Sequence, residues 1–344
     1  HVDGLRLDAV HAIIDDSPTH VLEELAQRVG ALASGRRVHL ILENEENQAH
    51  WLERDPAGEV RLYTAQWNDD VHHGLHTAAT GEQDGYYAEY QGDISKLARA
   101  LAEGFAFQGE MMAYRDAPRG EPSGHLPPTA FIAFLQNHDQ IGNRAFGDRI
   151  TASTPTEAVR AVAALYLLAP QIPMLFMGEE WAAAQPFPFF CDFDEELAKA
   201  VRKGRREEFA KFPEFQDEQA RERIPDPTAE ATFQSAKLIW SDRSQEPHAQ
   251  WLDWYRRILA LRRAEIVPRL AGISGDAGQY ETFGDSGLRV QWRLNGGSRL
   301  IVVANLSDRN LANVAAGAGR SLWREGEGGP SGPGPWTVAW SLEE

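Results

Sequence analysis

The chain has 344 residues, of which 42% are hydrophobic, enough for one large domain and a smaller one. Its 34 basic and 51 acidic residues give a net charge of −17, which disfavours nucleic acid as a partner and favours a neutral or cationic ligand. Because Cys191 is the single cysteine, an intrachain disulfide and a thiolate metal cluster are excluded, and a cytoplasmic location is weakly favoured. No apolar run reaches the roughly 18 to 20 residues of a membrane helix, so no membrane partner is expected.

The first residues alternate as a strand does, with Leu5 and Leu7 on one face and charged residues between them. Burying a charge costs on the order of several kcal/mol unless the charge is paired or used. Arg6 and Asp8 are two residues apart, so they can share one face and keep the carboxylate ionised. This arrangement suits a nucleophile, and it equally suits a structural ion pair.

Strands and helices then alternate along the chain. A helix is predicted after Ser17, with Ser17 as N-cap and Pro18 as the first helical residue, ending near Gly35. The further strands, most of which end in a polar cluster, are predicted at 38–43, 60–67, 130–135 and 172–177. The further helices are predicted at 94–107, 154–168 and 251–263. The stretch 110–128 is predicted to be a loop, and 202–227 a charged surface excursion.

Five strand and helix units are three fewer than a closed (β/α)8 barrel contains. The chain starts at His1 rather than Met, directly before a strand, which favours earlier units lying outside this sequence. From 272 onward, short strands are separated by Gly, Asn, Asp and Pro. We therefore predict an α/β fold: the later part of a (β/α)8 TIM barrel in 1–271, followed by an all-β, sandwich-like domain in 272–344.

Carboxylates follow the predicted strands. Asp8 and Glu43 come at the same edge of neighbouring parallel strands, and Asp139 follows another strand. Two such carboxylates are what a retaining glycosidase requires, one to attack the anomeric carbon and one to protonate the leaving oxygen. Glu45 and Glu46 compete with Glu43, but only Glu43 directly ends the apolar run. The alternative is that acidic residues collect at loop starts because they cap helices.

Two of these segments resemble motifs of the α-amylase superfamily, glycoside hydrolase family 13. Residues 4–9 (GLRLDA) resemble its nucleophile motif G-x-R-x-D-[AT], and residues 134–139 (FLQNHD) resemble its F-x-x-N-H-D motif. Residues 40–43 (LILE) stand where the strand bearing the acid is expected. A D-x-x-x-N-H segment of the family would precede His1 and is absent here, which agrees with a partial barrel.

Four longer segments resemble one branch of that superfamily, the hydrolases of maltooligosaccharides that end in trehalose. These segments are 7–13, 66–73, 136–144 and 176–181. Glycogen branching enzymes differ at the second and third of them. The resemblance implies cleavage of the α-1,4 bond next to the terminal trehalose of an α-1,4-glucan oligosaccharide, releasing trehalose and a maltooligosaccharide.

The resemblance also implies roles for individual residues. Asp8 would be the nucleophile, Glu43 the general acid and then base, and Asp139 the carboxylate that supports the oxocarbenium-like transition state. The residues expected to bind substrate or to hold the nucleophile are Arg6, His11, Trp67, Asp70, His73, Asn137, His138 and Gln140. Glu43 must hold a proton at neutral pH, which requires partial burial or a nearby negative charge such as Asp139.

Other interpretations stay open. A transglycosylase such as a branching enzyme would use the same covalent intermediate, a non-catalytic homologue would only bind glucan, and an unrelated barrel would bind a divalent cation. No cofactor is indicated, and the segments that usually form a calcium site would precede His1. The spacing of His72 and His76 permits a metal site, although sugar binding or loop capping is favoured. The aromatic residues that would stack on glucose or simply pack are Trp67, Tyr86, Tyr87, Tyr90 and Trp181.

Overall fold

The computed structural model describes residues 2–32, 35–210, 215–329 and 332–344. The chain forms two compact units. The first comprises His1–Leu135, Thr156–Met174 and Ile258–Glu344. The second comprises Gln136–Pro155 and Leu175–Arg257.

The strands before residue 174 all belong to the first unit. They are β1 Gly4–Leu7, β2 His39–Leu42, β3 Ala65–Trp67, β4 Met111–Met112, β5 Ala117–Pro118, β6 Phe131–Ala133 and β7 Ile172–Pro173. Five of them form a parallel sheet in the order β1-β2-β3-β6-β7, and β4 pairs with β5 as a short antiparallel ribbon. Sequential neighbours with parallel pairing are what successive units of a (β/α)8 barrel produce. The strands at 60–67 and 172–177 are shorter than predicted.

Helices lie between these strands and after them. They are α1 Val21–Leu32, α2 Asp69–Thr80, α3 Ile94–Glu103, α4 His138–Gly142, α5 Thr156–Leu168, α6 Glu195–Phe209, α7 Glu218–Glu222, α8 Glu230–Ser235 and α9 His248–Leu261. The sequence missed α2, because it is buried nearly all round and lacks an amphipathic stripe. It also missed α6, most of whose residues are polar. Among the described residues, no helix is long and apolar enough to cross a membrane.

Helix α1 begins later than predicted, and the predicted cap at Ser17 is wrong. The carboxylate of Asp15 accepts hydrogen bonds from the backbone N–H groups of Val21, at 2.6 Å, and Ser17, at 2.9 Å. These bonds lower the pKa of Asp15 to about 2, the Ser17 bonds being the largest cause and the Val21 bond adding to them. An aspartate therefore satisfies the donors at the start of this helix, where the sequence suggested a serine.

Residues after 277 form the antiparallel part of the first unit. The strands are β8 Gly278–Phe283, β9 Gly287–Arg293, β10 Arg299–Asn305, β11 Arg320–Glu325, β12 Gly328–Gly329, β13 Gly332–Pro333 and β14 Thr337–Glu343. Five of them form one sheet in the order β11-β14-β10-β9-β8. The rings of Trp292 and Trp340 stack at 5.7 Å, and their indole N–H groups donate to Leu101 O of α3, at 3.2 Å, and Ala164 O of α5, at 3.0 Å. The boundary at 272 stays a prediction.

Candidate active site

The ends of β1 and β2 place two carboxylates at one edge of the parallel sheet. Leu7 is in register with Leu42, and Glu43 N donates to Leu7 O at 3.0 Å. Asp8 and Glu43 are the residues that follow this last pair. Because parallel strands end at the same edge, the two acidic side chains leave the sheet next to each other.

Arg6 contacts both carboxylates. Its Nη1 forms an ion pair with Asp8, and its Nη2 lies 2.9 Å from Glu43 Oε2. One guanidinium therefore offsets the repulsion between two acids that both lie against it. The side chain of Asp8 is 77% exposed, whereas those of Arg6 and Glu43 are each 21% exposed. An accessible carboxylate beside a half-buried one is the arrangement that a nucleophile and an acid need.

Ala9 completes this edge through its backbone. Its φ of 43° and ψ of 46° are left-handed, a conformation that costs an L-residue roughly 1–2 kcal/mol. The turn aims its N–H at Glu43 Oε2, at 2.8 Å. The sequence did not identify this residue, since no side chain carries the contact, although it lies within the motif that includes Asp8.

Trp67 and His11 lie at the same edge. The Arg6 guanidinium carbon is 4.2 Å from the centroid of the Trp67 ring, so one face of this indole is covered by the arginine. His11 Nδ1 accepts from Glu45 N at 3.2 Å, and its Nε2 lies 3.6 Å from the Glu45 carboxylate. The substrate contacts predicted for both residues stay predictions.

Asp70, unlike Asp8, is not exposed. It is fully buried on α2, and its carboxylate accepts from Arg119 Nη1 at 2.6 Å, Tyr90 OH at 2.6 Å, Ala106 N at 2.7 Å and Asn47 Nδ2 at 3.1 Å. With these oxygens engaged inside the protein, Asp70 is the centre of a buried ion pair rather than an exposed sugar ligand. We call Asp70, Arg119, Tyr90 and Asn47 the Asp70 network.

The histidines of α2 are also buried. His72 Nδ1 donates to Leu135 O at 2.7 Å, and its Nε2 accepts from Tyr87 OH at 3.0 Å. His76 Nε2 lies 2.9 Å from Glu82 Oε2. Among the described residues, no group of three His, Cys, Asp or Glu side chains can hold a metal ion. The metal interpretation of this cluster therefore has no support.

His73 was predicted to bind substrate, but it lies inside the protein. It is 9% exposed, and its ring packs 4.8 Å from the rings of Tyr86 and Tyr90. Its Nδ1 has no hydrogen-bond partner among the described residues. Burial, reinforced by the charges of His72 and Arg119, lowers the pKa of His73 well below 6.5, so the ring stays neutral. In this structure His73 is a packing residue of α2.

Tyr87, Tyr90 and Trp181 fit the packing alternative rather than the stacking one. Tyr87 stacks on His76 at 4.4 Å, and Tyr90 belongs to the Asp70 network. Trp181 is 2% exposed. All three lack the open ring face that a glucose unit would require.

The predicted third carboxylate belongs to the second unit. Asn137 Oδ1 caps α4 by accepting from Asp139 N at 2.8 Å and Gln140 N at 3.3 Å. The side chains of His138 and Asp139 are 47% and 40% exposed, with His138 Nε2 3.4 Å from Asp139 Oδ1. The asparagine therefore serves the helix, while the two following side chains face solvent. The approach of Asp139 to Asp8 and Glu43 stays a prediction.

Comparison with known proteins gives named relatives. The chain is 44% identical over 270 residues to the malto-oligosyltrehalose trehalohydrolase of Arthrobacter ramosus, covering 76% of this chain and 45% of that protein. It is 35% identical over 353 residues to the malto-oligosyltrehalose trehalohydrolase of Brevibacterium helvolum, covering 98% of this chain and 57% of that protein. The chain resembles the malto-oligosyltrehalose trehalohydrolases. The resemblance predicted from the sequence is thereby confirmed.

The chain spans about half the length of the malto-oligosyltrehalose trehalohydrolases that it matches. A crystal structure of an alpha-amylase-like protein from Salmonella typhimurium superposes with a TM-score of 0.93 at 40% identity, covering 99% of this chain and 57% of that one. Residues 275–340 match the family described as "Domain of unknown function (DUF3459)". The predicted fold, the later part of a TIM barrel followed by a β domain, is confirmed.

Proposed function

We propose that the protein is a retaining glycosidase that hydrolyses the α-1,4 bond next to the terminal trehalose of a maltooligosyltrehalose. The observation that carries the proposal is the pair Asp8 and Glu43, held by Arg6 at the carboxyl ends of adjacent strands. The likeness to proteins named malto-oligosyltrehalose trehalohydrolase supports the substrate. A retaining mechanism requires the two carboxyl groups to be about 5–5.5 Å apart.

In the first step, Asp8 attacks the anomeric carbon of the glucose unit next to the trehalose. The bond from that carbon to the glycosidic oxygen breaks, and Glu43 gives its proton to the oxygen, so trehalose leaves. In the second step, Glu43 takes a proton from water, and the hydroxyl attacks the same carbon. The bond to Asp8 breaks and a maltooligosaccharide is released.

The surroundings of Asp8 agree with the role of a nucleophile. The 77% exposure of Asp8 lets a sugar reach its carboxylate, and the Arg6 guanidinium forms an ion pair with that carboxylate. Glu43 is fixed by the Ala9 N–H, which limits the motion of its carboxyl group. We also propose that Asp139 and His138 contact the sugar at the cleaved bond, since both side chains are exposed.

The test is the natural protein incubated with maltooligosyltrehalose and, separately, with a plain maltooligosaccharide of equal length. We expect trehalose and one new reducing end per cleavage from the first substrate, and much slower cleavage of the second. Chromatography of the products checks both. Equal release of reducing sugar from the two substrates contradicts the trehalose specificity, and longer or branched products indicate a transglycosylase.

A further inference from the structure

The segment that follows Glu43 is held by hydrogen bonds on two sides. Residues 44–47 leave the end of β2, and Asn47 has a left-handed φ of 53°. Gln66 Nε2 donates to Asn44 O at 3.1 Å and to Asn47 Oδ1 at 3.0 Å. On its other side, Asn47 O accepts from Glu121 N at 3.0 Å. A segment fixed in this way has little freedom to carry Glu43 to a new position.

Arg119 connects that segment to α2. Its Nε donates to Glu45 O at 2.8 Å, and its Nη1 donates to Asp70 at 2.6 Å and to Tyr90 OH at 2.8 Å. The side chain is only 2% exposed. Although burial, the largest single cause, acts to lower the pKa of Arg119, the charge of Asp70 and its hydrogen bond, together with Tyr90 and Asp69, outweigh it and raise the pKa, so the guanidinium is always charged.

The backbone before and after Glu43 is therefore fixed by different elements. On the strand side, Glu43 N donates to Leu7 O at 3.0 Å and Glu43 O accepts from Val10 N at 3.1 Å. On the loop side, Arg119 donates to the Glu45 carbonyl at 2.8 Å, and Arg115 Nη1 donates to the same oxygen at 3.5 Å. A side chain that must deliver a proton to one oxygen depends on both supports, since small displacements of a catalytic group cost much of its effect.

We infer that Arg119 is a positioning residue, which holds residues 44–47 so that the Glu43 carboxyl faces the glycosidic oxygen. The inference rests on the proposed function. It gives the Asp70 network a role in the reaction although all four of its members are buried. Lysine cannot replace Arg119, because a single ammonium cannot bind the Glu45 carbonyl and the Asp70 carboxylate in the same fork geometry.

The test separates proton delivery from general damage by changing the leaving group. Trehalose leaves only when its oxygen receives a proton, whereas α-maltosyl fluoride releases fluoride with the bonding electron pair and needs no proton. For both substrates kcat/KM reports the step in which Asp8 bonds to the anomeric carbon. We expect Arg119→Lys to lower kcat/KM at least 10-fold with maltooligosyltrehalose and less than 3-fold with α-maltosyl fluoride. The acid variant Glu43→Gln should show the same pattern to a greater degree.

Asn47→Gly is a second variant, in case Arg119→Lys does not fold. Glycine adopts the left-handed φ freely, and the change removes the side-chain bonds to Gln66 and Asp70. We expect the same selective loss. The matched control is Arg262→Lys, because Arg262 is another buried arginine of this unit and donates to the carbonyls of Leu167, Ala169 and Gln171. This control variant should be less stable than wild type, and any loss of kcat/KM should be equal for the two substrates.

Equal losses with the two substrates in Arg119→Lys and Asn47→Gly would show that the network only stabilises the fold, and the inference would be wrong. Failure of the proposed function has a different signature, since the wild-type protein would then release no trehalose from maltooligosyltrehalose. A selective loss in the Arg262→Lys control would also overturn the inference.

Discussion

Two arginine–aspartate pairs of the first unit differ in what surrounds them. Asp8 pairs with Arg6 at the sheet edge and keeps 77% of its side chain exposed. Asp70 pairs with Arg119 on α2 and is fully buried, with its oxygens bound by several donors. The same two residue types therefore form an exposed ion pair in one place and a buried ion pair in the other. An exposed carboxylate can react with a substrate, whereas a buried one whose oxygens accept several hydrogen bonds can only hold neighbouring segments together.

The largest expected difference between the two pairs is in activity. Asp8→Ala removes the proposed nucleophile and should lower kcat by roughly 10⁴-fold or more. Because the side chain is exposed, the free energy of unfolding should change by less than about 0.5 kcal/mol. Trehalose release and urea unfolding check the two parts. Activity within 10-fold of wild type would remove Asp8 from this role and leave Arg6–Asp8 as a surface ion pair.

The reverse pattern is expected for Asp70. Asp70→Leu leaves the Arg119 charge buried without its partner, which should lower the free energy of unfolding by about 3–5 kcal/mol. The double variant Asp70→Leu/Arg119→Met removes both charges and should be more stable than Asp70→Leu alone. Denaturant unfolding of the single and double variants measures this. If Asp70→Leu unfolds like wild type, the burial of this pair has no energetic weight.

A smaller effect is expected in how the free energy of unfolding depends on pH, through His73 beside the Asp70 network. The folded protein keeps His73 neutral, whereas the unfolded chain protonates it below about pH 6.5. The unfolded state then binds more protons, so stability falls as pH drops below 6.5, by at most about 1.4 kcal/mol per pH unit. His73→Gln should remove this slope. The exposed His50 offers a control, His50→Gln, and identical slopes in wild type and His73→Gln would contradict the burial of a neutral ring.

The sequence predicted the parallel order of the strands and the edge at which Asp8 and Glu43 meet, because both follow from apolar runs and short connections. It did not predict that Asp70 is buried while Asp8 is exposed. Each aspartate follows a strand by a few residues, and what separates them is Arg119, which arrives 49 positions after Asp70 from an irregular stretch without periodicity. Long-range partners of this kind leave no local pattern, so burial had to come from the structure.

Helix α2 was missed for a related reason. Most of its residues are buried, and the histidines are among them. A sequence pattern would have placed these polar residues on the surface. The same residues then suggested a metal or sugar site. The ring nitrogens of His72 and His76 instead bond to Leu135, which follows β6, and to Tyr87 and Glu82, which lie between α2 and α3. Polar residues inside a helix are predictable only when their partners are known.

The two indole N–H groups of the antiparallel sheet have a consequence for how the first unit opens. Trp292 donates to Leu101 O near the end of α3, and Trp340 donates to Ala164 O within α5. Detaching the sheet would break both hydrogen bonds and would uncover the helix surface beneath the two rings. Opening of β9 and β14 is thus coupled to fraying of α3 and α5, and amide hydrogen exchange in these four elements should share one free energy. The antiparallel sheet is therefore expected to exchange together with the two helices that it contacts.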